Sequence, residues 1–131
     1  MDEYISNASD SNCSGEPGGF SAFIERVGGD IELARDMARL FVPDGAQLLA
    51  RIEEAFAAND ITGLTDAAHA LKGAASNFST AGATSVAAEI EQLCRTGDLE
   101  LAIPLRARIA QEGERLLAAV RNFVQDEVCA S

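Results

Sequence analysis

The sequence has no tryptophan, one tyrosine, one histidine and one lysine. Its three cysteines (Cys13, Cys94, Cys129) are odd in number and far apart. They form no CxxC pair and no disulfide framework, which fits a reduced, cytosolic chain. With a single histidine, no zinc site of ordinary composition can be assembled, and no metal is expected. Basic residues are scarce: 10 against 21 acidic ones, for a formal net charge of −11. Such a chain is repelled by DNA, RNA and anionic lipid, so nucleic acid and membrane are excluded as expected partners. No basic stretch precedes an apolar run at the N-terminus, so no signal peptide is expected. No apolar run approaches the roughly 20 residues of a membrane span. A GxxxxGK loop is absent, so kinase chemistry on ATP is not expected.

What is present is helical. At 131 residues the chain suits one domain, and its 47% apolar content is carried by alanine and leucine rather than by aromatics. Small, unbranched apolar residues suit packed helices better than sheets. Residues 1–18 hold four acids, no base and many Ser, Asn, Asp and Gly residues, and read as a disordered polar leader. Order is expected over residues 19–125, with 126–131 a flexible C-terminus. Phe20, Phe23, Ile24 and Val27 have helical spacing, and Gly28-Gly29 stops that short first helix. Asp30 then caps a long second helix to Ala58. Its apolar stripe is read as Leu33, Met37, Leu40, Phe41, Leu48, Ile52 and Phe56; Pro43 either kinks this helix or splits it in two, and a kink is the preferred reading. After the Asn59-Asp60 turn, a third helix runs from about Ile61 to Phe78. A fourth follows from Ala83 to Thr96, and Gly97-Asp98 reads as a stop followed by an N-cap. The last, with Pro104 near its start, reaches about Val124. No segment alternates with period two. The pattern predicts an all-α fold: an antiparallel four-helix bundle with a short additional N-terminal helix.

The third helix carries the chemistry-bearing residues. Leu64, Ala67, Ala68, Leu71, Ala74, Ala75 and Phe78 form its apolar stripe. His69 lies roughly 170° from the centre of that stripe and is expected in solvent. Its neighbours one turn away are Thr65, Asp66, Lys72 and Gly73, with Ser76 continuing the face. Lys72 is the sole lysine, since the other nine basic residues are arginines. An ammonium one turn from an imidazole favours the neutral ring and attracts a dianion placed on it. Gly73 in mid-helix costs about 1 kcal/mol relative to alanine and clears space beside the histidine. Spacing alone leaves two readings open: an ordinary solvated helix face, or a site.

The segment Ala68-His69-Ala70-Leu71-Lys72-Gly73 resembles the His-x-Leu-Lys-Gly signature of histidine phosphotransfer (HPt) domains. The likeness extends to Leu40-Phe41, Asn59-Asp60, Ile90-Glu91 and Gly97-Asp98, over about residues 20–124. One position departs: Ser79 stands where the family usually has glycine. The resemblance implies a phosphorelay carrier rather than an enzyme. His69 would accept a phosphoryl group from the aspartyl phosphate of a response-regulator receiver domain and pass it to another receiver. Lys72 would stabilise the phosphoryl charge, and Gly73 would give steric access. Thr65, Asp66 and Ser76 would hydrogen-bond the ring or dock the receiver. No cofactor is implied in this chain, and the Mg²⁺ would sit in the receiver. The implied partners are receivers and a (hybrid) sensor histidine kinase, met by a cytoplasmic monomer. The alternative is an HPt-fold docking protein that inhibits a kinase or receiver without carrying phosphate.

Overall fold

The computed structural model describes residues 20–78 and 81–130, with Ser21 and 126–130 described by backbone only. The leader 1–18 and Ser79 lie outside the described residues. Among the described residues six helices follow in order: α1 Ser21–Arg26, α2 Ile31–Ala58, α3 Ile61–Ala75, α4 Ala83–Arg95, α5 Leu99–Ala102 and α6 Leu105–Ala130. No strand occurs among the described residues, and no described helix is long and apolar enough to cross a membrane.

Local chemistry sets the boundaries. Gly28 and Gly29 both take positive φ, which ends α1 without a Cβ penalty. The Asp30 carboxylate accepts the Leu33 amide at 3.1 Å and starts α2. Asn59 closes α2 in the left-handed region, and Asp60 caps α3 by accepting the Gly63 amide at 3.0 Å. Pro43 does not divide α2, which runs through it as one helix.

Four sequence expectations are corrected. α3 ends at Ala75, before Phe78. Just past that end, the Arg26 guanidinium of α1 donates to the Ser76 and Asn77 carbonyl oxygens. Asp98 does not cap the helix after it; its carboxylate accepts the Thr96 hydroxyl at 2.8 Å. The final segment is two helices: α5 stops short and α6 starts at Leu105, directly after Pro104, which has no N–H to donate to a carbonyl one turn back. α6 also runs six residues past Val124 to Ala130, through a stretch that contains no glycine or proline.

Helices α2, α3, α4 and α6 form the bundle. α2 packs on α3 and α6, and α4 packs on the same two, so α3 and α6 lie diagonally across the core. The α2 stripe differs from the expected one. Leu33 (44% exposed) and Leu40 (70% exposed) face solvent, while Ala34, Ala38, Phe41, Gly45, Ile52, Ala55 and Phe56 face inward. Small residues let α2 and α6 approach closely. A Cβ on Gly113 would fall 2.5 Å from Leu49, and one on Gly45 would meet Leu117 and Phe41 at 3.0 Å. One core cluster centres on Ile52, Leu64, Leu71, Ile90 and Ile109. A second gathers Phe20, Phe23, Phe41 and Phe78 under α1, with Phe123 against Phe20 at 5.3 Å between ring centroids.

Candidate functional site

α3 places His69 by burying the opposite side. Leu64, Ala67, Ala68, Leu71 and Ala75 are buried, while the His69 side chain is 62% exposed. The expectation of a solvent-facing imidazole holds. Gly73 is exposed too, and a Cβ built there would find no atom within 4 Å. Close helix packing therefore does not require this glycine.

The ring is fixed from α4. His69 Nδ1 lies 2.9 Å from Glu91 Oε2. The Glu91 side chain is only 6% exposed and also pairs with two cationic side chains. Lys72 Nζ sits 2.8 Å from Oε1, while Arg95 donates to Oε2 through Nε at 3.0 Å and Nη2 at 2.5 Å. The Lys72 ammonium first, then Arg95 and His69, hold the Glu91 carboxyl at about 2, against the upward push of burial. Glu91 is thus a buried anion compensated from three sides. A carboxylate only accepts, so Nδ1 of the neutral ring carries its proton and the Nε2 lone pair faces solvent.

The remaining sequence candidates sit elsewhere in the hydrogen-bond pattern. The Thr65 hydroxyl donates to the Ile61 carbonyl at 2.7 Å, within its own helix. Ser76 donates to the Gly73 carbonyl at 2.8 Å, at the end of α3. Asp66 is exposed. None of the three is hydrogen-bonded to the imidazole in the structure. Cys94, one residue before Arg95, is buried; burial pushes its thiol up and keeps it protonated.

Sequence reasoning missed Glu91 and Arg95 as site residues. The signal was present in α4, where Thr84, Ala87, Glu91 and Cys94 repeat at three- and four-residue spacing and are all buried. An acid in such a stripe demands cationic partners, and Arg95 follows one turn later.

The structure thus brings together, on one face of a bundle helix, an exposed imidazole held by a buried carboxylate, a lysine on the same carboxylate and a glycine with open space around it. The family model of the Hpt domain matches residues 36–122, and the chain belongs to that family, whose members act in two-component phosphotransfer. No curated protein and no solved structure gives a match to it.

Proposed function

We propose that the protein is a phosphorelay intermediate that receives a phosphoryl group on His69 from one receiver domain and delivers it to another. The observation that carries this is the hydrogen bond from His69 Nδ1 to buried Glu91. It leaves Nε2 as the nucleophile and orients it outward. In the forward step, Nε2 forms a bond to phosphorus while the bond from phosphorus to the aspartyl oxygen breaks. The electron pair leaves on the aspartate carboxylate. The proton on Nδ1 stays in place, so the ring gains positive charge as its lone pair is used, and Glu91 offsets that charge. Delivery to the second receiver is the same step reversed.

Lys72 stabilises the phosphoryl oxygens in a transition state governed by positioning and charge. Gly73 leaves room for the receiver's active site. Asp66 and Ser76 border the contact. α2, beside α3, carries the exposed Leu40 and Leu33 that a receiver covers when it docks. The Mg²⁺ belongs to the receiver, and the carrier works as a cytoplasmic monomer.

The test is intact mass after mixing with receiver domains preloaded with phosphate. The wild type gains one acid-labile phosphoryl group, and His69→Ala gains none. Measurable binding without transfer, from every loaded receiver tried, replaces the relay with a docking role.

A further inference from the structure

Glu91 is paired with two cationic side chains, and the two pairings differ in kind. Lys72 makes one contact, Nζ to Oε1, and Oε1 receives no well-directed hydrogen bond. Arg95 grips Oε2 with two nitrogens from one turn along the same helix. The carboxylate between them is buried, whereas the lysine and arginine side chains are 36% and 55% exposed. A charge buried this deeply is strongly destabilising when left without a partner. Phosphoryl transfer asks Lys72 to leave that carboxylate and meet the incoming oxygens.

We propose that Arg95 is the positioning residue that makes this departure affordable: it stays on Glu91 as a fixed counter-ion while Lys72 swings from Oε1 to the phosphoryl group. The inference rests on the relay function proposed above. Before transfer, Lys72 and Arg95 share Glu91. As the bond from Nε2 to phosphorus forms, Lys72 moves to the phosphoryl oxygens, and Glu91 keeps Arg95 together with the newly cationic ring. The ring retains its Nδ1 proton, and the leaving electron pair goes to the receiver's aspartate. Arg95 itself need not touch phosphate. Without it, Lys72 is held on Glu91 and is lost to the reaction.

The experiment compares transfer rates from one receiver domain, loaded from acetyl phosphate, to wild type, Arg95→Met, Glu91→Gln and the double variant. Arg95→Met should slow transfer about tenfold, as losing one charge-stabilising group does. Glu91→Gln should itself be slower than wild type, because the ring loses its anion. In that background Arg95→Met should have no further effect, since a neutral amide needs no counter-ion and already releases Lys72. Arg95→Lys, which keeps a cation one turn from Glu91, should retain most of the rate.

A wild-type rate in Arg95→Met overturns the proposal. So does an Arg95→Met deficit that persists in the Glu91→Gln background, which would put Arg95 on the phosphate or the receiver directly. Equal losses in Arg95→Lys and Arg95→Met overturn it as well, because shape rather than charge would be the requirement. The wild-type arm separates the two levels: failure of wild type to load from any receiver overturns the relay, whereas normal wild-type loading with contrary Arg95 results overturns only the role of Arg95.

Discussion

At the scale of the residue, the site is organised by Glu91, which has no surface of its own to offer a partner. Its carboxyl is ordinarily half-protonated near 4.5 and is held at about 2 in the folded chain. The folded value is the lower one, so the stabilisation from its ion pairs is complete above 4.5 and is lost as pH falls toward about 2. Denaturant midpoints recorded across that acid range should fall steeply for wild type and less steeply for Glu91→Gln. Parallel curves would remove Glu91 as the source. Glu53, held low by its hydrogen bonds from Arg106, acts in the same direction and is common to both proteins. Lys72→Ala should slow phosphoryl transfer roughly tenfold or more while leaving His69 able to react; an unchanged rate in a stopped-flow transfer assay would show that the lysine only balances Glu91. His69, Lys72 and Gly73 were legible in the sequence because a single histidine, a single lysine and a needless glycine shared one exposed face. Glu91 was not, because the residue that fixes the ring belongs to α4, and no periodicity within α3 announces a partner on another helix.

At the scale of the element, each glycine has its own cause. Gly73 has open space around it, so Gly73→Ala should stabilise the fold by up to about 1 kcal/mol through helix propensity. The same change should slow transfer by crowding the approach to His69. Thermal unfolding read beside transfer rate checks both, and a gain in stability with no loss of rate would end the access argument. Gly113 is the opposite case. A methyl group there would overlap Leu49, so Gly113→Ala should destabilise by about 1–3 kcal/mol despite its better propensity, measured by urea unfolding. Helix positions were legible from caps and breakers: Asp30, Asp60, Gly28 and Gly29 act where the sequence placed them. The face of α2 was not. Its inward side is built from Ala34, Ala38 and Gly45, and a pattern read from large residues follows Leu33 and Leu40 to the wrong side. The early end of α3 was equally hidden, since the segment after it is held by Arg26, fifty residues earlier in the chain.

At the scale of the whole molecule, α1 ties the bundle to the histidine helix at one end. Phe23 is 1% exposed, with its ring 4.6 Å from Phe78 beyond the end of α3, and Arg26 hydrogen-bonds the carbonyls there. Phe23→Ala should cost about 3–5 kcal/mol. Hydrogen exchange should then quicken at residues 72–78 before it does at the α2–α3 turn, where Asp60 holds the opposite end of the helix. Uniform loss of protection along α3 would show that α1 contributes only to global stability. The antiparallel bundle was legible from helix lengths and short links, whereas the tie between α1 and α3 is a tertiary contact that no local pattern announces.

The exposure of His69 on a single helix face has a further consequence for traffic through the molecule. There is one berth, and whatever unloads a phosphoryl group there must vacate it before the next receiver can collect. Two receivers present together are therefore rivals for the same seat, and the slower of them to depart sets the pace of the relay.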